Sequence, residues 1–174
     1  MNVFEYEVKM KRGESVNLTK GLEQAVCIIT LLATQDKKFP IASHIINQRL
    51  EGASPSYVKK IIRKLVVNGL VTSVSGSNGG FLLAKKPEEV NLLEVVEALE
   101  GPIVTYPNTG MINQVFSDMG PTANQGEKVL TEVFRQADEQ YTNLLRQQTV
   151  AHLIYESLGR REIPVINWNE VIES

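Results

Sequence analysis

Apolar residues recur every three or four positions along most of this 174-residue chain. That spacing places them on one face of an α-helix, because successive residues turn by about 100°. The stripes predict helices over 19–34, 41–50, 55–67 and 92–100, a long helix containing 129–145, and a last short helix over 150–158.

Between the third and fourth of these helices, the pattern changes to one typical of strands. Leu70 to Ser75 alternates loosely, and Phe81 to Ala84 forms a second apolar run. The intervening residues, Gly76 to Gly80, tolerate positive φ, so the chain can turn back between the two runs. The pattern therefore predicts a two-stranded β-hairpin.

The helix before the hairpin has clear start and stop signals. Ser54 is a favourable N-cap, and Pro55 suits the first helical position because its missing N–H would have no partner there. Asn68-Gly69 ends the helix. The short connector containing Gly52 is typical of the turn between two crossed helices. Helix, turn, helix and hairpin in this order predict a winged helix-turn-helix, a mainly α fold in which the hairpin is the wing.

The second helix of this motif, the recognition helix, has two unlike faces. Its apolar face consists of residues at i, i+3, i+4 and i+7, namely Val58, Ile61, Ile62 and Leu65. The opposite face and its flanks carry Ser56, Tyr57, Lys59, Lys60, Arg63 and Lys64. The outward face is therefore basic and polar.

Charge is segregated along the chain. The net charge is −2, yet the segment between Gly52 and Pro87 contains no Asp or Glu and six basic residues, namely Lys59, Lys60, Arg63, Lys64, Lys85 and Lys86. A basic segment on an acidic protein is typical of a face that binds a polyanion. A charge run alone is usually a solvated surface, but together with a helix-turn-helix and a wing it favours double-stranded DNA as the partner.

The chain divides into four predicted parts. They are an N-terminal extension at 1–15, a winged helix-turn-helix domain at 16–87, a linker helix, loop and long helix at 88–158, and a C-terminal tail at 159–174. Asn91 and Glu94 form a capping box for the linker helix. Ile103 to Gln125 is predicted to be mostly loop, with a short helix around 111–119. Thr149 is predicted to cap the last helix, and the tail is expected to be held by Val165, Ile166 and Trp168.

The long helix presents an apolar stripe that needs a partner surface. Its members are Val129, Val133, Phe134, Ala137, Tyr141, Leu144 and Leu145. Pairing with a second copy would bury the stripe, and folding back onto the winged domain is the alternative. We expect a homodimer.

Residues that carry chemistry are sparse. The single cysteine, Cys27, cannot form an internal disulfide or a cysteine metal cage, and it is expected to be a small buried hydrophobe. His44 has no second ligand at i+3 or i+4, so a surface or capping role is expected. No nucleophile–base pair, phosphate-cradling loop or metal-ligand spacing is present. We therefore expect no enzyme, no cofactor and no metal.

The N-terminal residues lack the apolar core of a signal peptide or membrane anchor. The longest apolar stretch is also far shorter than the roughly 20 residues that span a bilayer. The sequence predicts a cytoplasmic protein with no membrane partner.

Four stretches in this order resemble the Rrf2 family of bacterial winged-helix repressors. They read LTKGLEQAVCIITLLA, SPSYVKKIIRKLVVNGLV, SVSGSNGGFLLAK and PEEVNLLEVVEALEGP. The resemblance covers about 17–102 closely, and the long helix with 149–153 more loosely. It implies a homodimeric repressor joined through the long helix, with recognition helices in successive major grooves of an inverted repeat and wings near the flanking minor grooves.

Matching positions imply which residues contact DNA. They are Ser54, Ser56, Tyr57, Lys59 and Lys60 on the recognition helix, Ser75, Ser77 and Asn78 at the wing tip, and Lys20 near backbone phosphate. Arg63 joins this set because of its charge and orientation. Lys60 and Arg63 are expected to contact phosphate or guanine, and the role of Lys59, guanine readout or phosphate neutralisation, stays open.

The chain departs from the family at two places. Sensing members hold an iron-sulphur cluster with three cysteines between the linker helix and the long helix, and Ile103 to Gln125 contains none. Because cluster irons take mainly thiolate ligands, we predict that no cluster is bound. Many members also have an arginine at the wing where this chain has Ser75, which predicts weaker binding in a narrow minor groove.

The leading hypothesis is a sequence-specific DNA-binding transcriptional regulator, and the alternative is a winged-helix protein-interaction module without specific DNA binding. Three alternatives stay open for the effector: an unknown small molecule, a partner protein, or a constitutive protein that has no effector. A small molecule would sit between the winged domain and the long helix, near Tyr106, Met111, Phe116 or Met119, and the alternative is that these four are ordinary packing residues.

Overall fold

A computed structural model of the chain describes residues 20–170. Within that range, seven α-helices and one β-hairpin follow in the order α1 (Lys20–Thr34), α2 (Ser43–Arg49), α3 (Pro55–Val67), β1 (Val71–Val74), β2 (Gly80–Leu83), α4 (Leu92–Glu100), α5 (Met111–Val115), α6 (Gly120–Gln147) and α7 (Val150–Leu158). Short 3-10 turns lie at Pro87–Glu89 and Ser117–Met119. The predicted fold class, mainly α with a winged helix-turn-helix and a hairpin wing, is confirmed.

One hydrophobic core joins the elements of the winged domain. The recognition helix α3 buries Val58, Ile61, Ile62 and Leu65, the four residues of its predicted apolar stripe. They pack with buried residues of α1 and α4, among them Ile28, Ile29 and Val95. Burying each side chain of this size stabilises the fold by about 1.5–3 kcal/mol. The orientation of α3 is therefore set by its packing.

The wing is attached to the segment that leads into α2. Its strands pair antiparallel, with Val71 opposite Leu83 and Val74 opposite Gly80. Ile41 then pairs with Phe81 on the outer side of β2, where each backbone N–H donates to the other residue's carbonyl at 2.9 Å. The wing is thus hydrogen-bonded to the chain that begins the helix-turn-helix.

Two of the predicted helix caps form, and a third differs. The Asn91 side chain accepts from the Glu94 N–H at 3.0 Å, and the Glu94 carboxylate accepts from the Asn91 N–H at 3.1 Å. Thr149 Oγ1 accepts from the His152 N–H at 3.1 Å. Ser54 is the N-cap residue of α3, but its hydroxyl forms no cap bond and lies 2.7 Å from the Ser56 hydroxyl. The predicted N-cap position is confirmed, and the Ser54 hydroxyl pairs with the Ser56 hydroxyl instead of the helix backbone.

The long helix begins earlier than the sequence pattern suggested. Gly120 and Pro121 were predicted to be loop, and they form the first turn of α6, where proline needs no N–H partner. The helix therefore has 28 residues instead of about 20. The predicted short helix near 111–119 is present as α5 and the following 3-10 turn.

The C-terminal tail folds back onto the end of α1. The Ile166 N–H donates to the Thr34 carbonyl at 2.8 Å, and the Asp36 N–H donates to the Ile166 carbonyl at 2.9 Å. Trp168 Nε1 donates to Thr34 Oγ1 at 3.0 Å. Ile166 and Trp168 therefore hold the tail as predicted, whereas the prediction for Val165 was wrong because that side chain is 74% exposed.

Cys27 is exposed, so the prediction of a buried cysteine was wrong. The core face of α1 runs through Ala25, Ile28, Ile29 and Leu32, and Cys27 lies off that face. His44 is exposed, as expected. No helix within residues 20–170 combines the length and the hydropathy that crossing a bilayer requires.

The contact between wing and helix-turn-helix yields a prediction about Gly80. A Cβ at this position would lie 2.2 Å from the Ile41 carbonyl oxygen, a backbone atom that cannot move aside easily. We expect Gly80→Ala to lower the free energy of unfolding by about 1–3 kcal/mol, the usual cost of overpacking, in urea titrations followed by circular dichroism.

Gly126→Ala is the matched control. Gly126 lies inside α6, and a Cβ there would meet no atom within 4 Å. Removing a helical glycine should raise stability, by about 0.5–1 kcal/mol. Equal stabilities for the Gly80→Ala and Gly126→Ala proteins would refute the close approach of Ile41.

Candidate nucleic-acid interface

The exposed face of α3 carries the polar residues that the sequence predicted there. Ser56, Tyr57, Lys59, Lys60 and Arg63 are exposed, whereas the opposite face is buried in the core. The first turn of α3 contains no acidic residue. Since a helix N-terminus carries partial positive charge, this end of α3 suits a nearby anion.

The basic residues around α3 divide into two groups. Lys64 Nζ donates to the Leu99 carbonyl, and Lys85 Nζ lies 2.5 Å from a carboxylate oxygen of Glu94. These two lysines connect the winged domain to α4. Within residues 20–170, the side chains of Lys59, Lys60 and Arg63 form no ion pair or hydrogen bond. Their charges are therefore available to an external anion.

A groove connects the recognition helix with α2 and the wing. It has a volume of about 400 Å³, and its lining includes Lys59 and Arg63 from α3, Ser43 and Asn47 from α2, and Ser73 from β1. Asn47 Oδ1 is buried there without a hydrogen-bond partner among the described residues. Sequence reasoning missed Ser43, Asn47 and Ser73, because only the packing of α2 against α3 and the wing brings them beside the basic face.

The wing tip is a tight turn of exposed polar residues. Ser75, Ser77 and Asn78 are exposed, and the Gly79 N–H donates to the Gly76 carbonyl at 3.0 Å. Gly76 has a φ of 114°, which favours glycine. Lys20, the other predicted contact, is the first residue of α1, and its side chain lies outside the described part of the structure.

The long helix α6 exposes most of its predicted dimerisation stripe. Ala123 is its only buried residue. Val133 and Leu144 are each 58% exposed, and Val129, Ala137 and Tyr141 are exposed as well. Phe134 stacks on Tyr106 with ring centroids 5.1 Å apart, and Leu145 is half-buried. The helix thus presents an apolar surface that the rest of the described chain does not cover.

Carboxylates of α6 hold the linker that precedes it. Asp138 accepts from the Thr105 N–H at 3.1 Å and from Thr105 Oγ1 at 2.6 Å, and Glu127 accepts from the side-chain amides of Asn108 and Asn113. The candidate ligand residues Met111, Phe116 and Met119 are exposed, and Tyr106 stacks on Phe134. These four side chains therefore do not enclose a cavity.

Arg135 on α6 lies between two carboxylates. Its guanidinium donates to Glu132 at 2.6 and 2.8 Å and also to Glu139. The hydrogen bond from Arg135, followed by one from Gln136, lowers the pKa of Glu132 from 4.5 to about 2. Glu132 therefore stays ionised well below neutral pH.

Comparison with known proteins identifies relatives of the chain. A sequence model of the Rrf2 family, described as an iron-dependent transcriptional regulator, matches residues 18–156. YwgB of Bacillus subtilis, named as a candidate HTH-type transcriptional regulator, is 33% identical over 139 residues, which are 80% of this chain and 85% of YwgB. The HTH-type transcriptional regulator IscR of Erwinia tasmaniensis is 28% identical over 161 residues, which are 90% of this chain and 89% of IscR.

The solved structures share the fold. CymR, the global cysteine regulator of Bacillus subtilis, superposes with a TM-score of 0.56 at 17% identity, over 80% of this chain and 96% of CymR. At that identity the similarity concerns the fold alone.

The residues of this chain do not fit a cysteine-ligated iron cluster. The sequence has one cysteine, and Cys27 lies on α1 rather than in the linker before α6. In the described range, no three His, Cys, Asp or Glu side chains are grouped where they would hold a metal ion. The family is described as iron-dependent, but this chain lacks the set of thiolate ligands that would hold an iron cluster.

The ion pair on α6 yields a prediction about Glu132. Arg135→Gln should raise the pKa of Glu132 from about 2 toward 4.5, because the mutation removes the strongest hydrogen bond to the carboxylate. The native pKa is lowered by folding, so the pair stabilises the fold above pH 4.5 and loses this effect as the pH falls toward 2. Carboxyl-carbon NMR across a pH titration measures the shift.

Arg146→Gln is the control for this titration. Arg146 is exposed on the same helix several turns away and bonds Asn143 instead of Glu132. The Arg146→Gln protein should keep the native pKa of Glu132. A similar rise in both variants would mean that the overall charge of the helix, and not the Arg135 contact, sets the pKa.

Proposed function

From its membership of the Rrf2 family, as a DNA-binding transcriptional regulator, we propose a finer function for this chain. It is a dimeric repressor that occludes a promoter by binding an inverted repeat. The single observation that carries the proposal is the exposed basic face of α3, whose Lys59, Lys60 and Arg63 form no ion pair within residues 20–170.

The residues of this face would have distinct roles on DNA. Lys60 and Arg63 would contact phosphate or guanine. Lys59, which lines the same groove as Arg63, would read guanine or neutralise phosphate. Tyr57 would reach a phosphate or a base edge. Ser54 and Ser56 would donate hydrogen bonds at the N-terminus of α3, and Lys20 would meet backbone phosphate.

The wing would approach the minor groove beside the major groove that α3 occupies. Its tip residues Ser75, Ser77 and Asn78 are uncharged, so they would contribute hydrogen bonds instead of the attraction that an arginine has for a narrow minor groove. The pairing of Phe81 with Ile41 supports the wing in a fixed position relative to α2.

The exposed stripe of α6 supports the homodimer. Val133 and Leu144 are each 58% exposed, so the rest of the described chain leaves them uncovered. Pairing α6 with its copy would bury them, and the resulting two-fold axis would set two half-sites about one helical turn, or a small multiple of it, apart.

The proposal does not include an iron-sulphur cluster, an enzymatic activity or a membrane partner. Because the chain lacks three cysteines, any signal would reach it by another route, such as a small molecule or a partner protein. A regulator of bacterial promoters works where the chromosome lies, which supports a cytoplasmic location. The alternative of an interaction module without DNA binding is less well supported, since the relatives are transcriptional regulators.

Selection of genomic DNA fragments tests the proposed function. The purified protein is incubated with sheared bacterial DNA, and bound fragments are sequenced. We expect a shared inverted repeat, because two recognition helices related by two-fold symmetry read the same sequence on opposite strands. Recovery of fragments without any common sequence would contradict specific binding.

Salt dependence tests the basic face. The double variant Lys60→Ala with Arg63→Ala should reduce the slope of log affinity against log salt by about one to two units per DNA-binding domain, because each phosphate contact releases counterions. Fluorescence anisotropy with a labelled duplex gives the slope.

The double variant Lys37→Ala with Lys38→Ala is the matched control. It removes the same charge from the exposed connector after α1, at residues that belong neither to α3 nor to the groove beside it. Its slope should equal that of the native protein. Equal reductions in both double variants would indicate that net charge, and not the α3 face, controls binding.

A charge in the stripe of α6 tests the dimer. Val133→Glu and Leu144→Glu should each yield monomers in sedimentation velocity, because a carboxylate at the centre of an apolar interface loses its hydration. Lys128→Glu, at an exposed residue on the opposite face of α6, should remain dimeric. Dimers in all three proteins would show that the stripe is not the interface.

A further inference from the structure

A cavity of about 650 Å³ lies on the side of the winged domain formed by α1, α4, α7 and the C-terminal tail. Its walls include Val26 and Thr30 of α1, Val95 of α4, and Ile154 and Ser157 of α7. The tail covers one side with Ile166 and Trp168. We call it the tail cavity. It shares no residue with the groove beside α3 or with the stripe of α6.

The lining of the tail cavity specifies the chemistry of its occupant. None of the described residues that line it is charged, and most are aliphatic. Its side-chain polar groups are the Cys27 thiol, the hydroxyls of Thr30, Thr34 and Ser157, and the Trp168 indole N–H, which donates to Thr34 Oγ1. Small-molecule sites have volumes of about 300–1,000 Å³ and combine an apolar wall with a few polar groups. A charged ligand would lose its hydration here without an ion-pair partner.

The tail connects this cavity to the helix-turn-helix. Trp168 lines the cavity, its Nε1 donates to Thr34, and its ring lies 4.9 Å from the guanidinium carbon of Arg49 at the end of α2. The next residue, Asn169, forms hydrogen bonds with two residues of the segment that precedes α2. Its side chain accepts from the Ala42 N–H at 3.0 Å and donates to the Pro40 carbonyl at 3.0 Å. A shift of the tail would therefore reach both ends of α2.

We propose that the tail cavity binds an uncharged, mainly apolar small molecule, and that its occupancy alters DNA affinity through Trp168, Asn169 and α2. The binding site stands on the geometry of the cavity alone. The effect on DNA rests on the proposed function.

The single tryptophan of the chain provides a direct measurement. The full-length protein is titrated with N-phenylnaphthylamine, a neutral apolar dye, and energy transfer from Trp168 to the dye is recorded. Resonance transfer reaches across distances comparable to the size of this domain, so dye bound to the exposed stripe of α6 can also contribute, and the cavity-filling variants separate the two sites. We expect saturable transfer at one dye per chain, and absence of saturable transfer would overturn the proposal.

Filling the cavity identifies the site. Ser157→Phe and Cys27→Phe each place a ring at a lining residue that is exposed enough to leave the core intact, and each should weaken dye binding about tenfold or more. His152→Phe adds the same ring to an exposed residue of α7 outside the lining and should bind dye like the native protein. Equal binding by all variants would refute the assignment. So would loss of the dimer in the filled variants by sedimentation, since the cavity would then be covered by a second copy.

The connection to DNA is measured separately. Saturating dye should change the affinity for the selected DNA fragment at least about threefold in the native protein. It should have no such effect in Ser157→Phe. Dye binding without a change in affinity would overturn the proposed effect on DNA while the binding site stands. Failure of DNA binding in the absence of dye would instead contradict the proposed function.

Discussion

Burial of one apolar stripe on α3 determines how the rest of the molecule is arranged. Val58, Ile61, Ile62 and Leu65 enter the core formed with α1 and α4, so the helix cannot rotate without exposing them. The opposite face must then point to solvent, and it carries the basic side chains. The packing that stabilises the domain therefore also orients the cationic surface toward solvent.

Contacts within the chain engage some of the basic residues and leave others available to an external anion. Lys64 and Lys85 belong to the same basic segment as Lys59 and Arg63, yet they bind the Leu99 carbonyl and the Glu94 carboxylate. They connect the winged domain to the linker helix. Two residues of identical charge and near-identical sequence position can thus serve different roles, because their partners come from distant parts of the chain.

The linker before α6 shows how this family member differs from those that hold a cluster. Cysteines are absent there, and hydrogen bonds from Thr105, Asn108 and Asn113 to Asp138 and Glu127 attach the linker to the long helix. These contacts are exposed or half-exposed, so each contributes only modestly to stability. The tail, by contrast, uses backbone hydrogen bonds and a half-buried tryptophan at the end of α1, and it touches both α2 and the cavity.

The sequence by itself determined the helices apart from the start of α6, the hairpin, the capping box at Asn91 and the basic face of α3, because periodicity and cap chemistry are local properties of the chain. Only the tertiary structure decided which lysines are paired, that Cys27 is exposed, that Asn47 and Ser73 join the groove, and that the tail covers one side of a cavity. Each of these depends on packing between segments far apart in the chain. For example, Trp168 and Thr34 are separated by 134 positions, a distance over which no local pattern carries information.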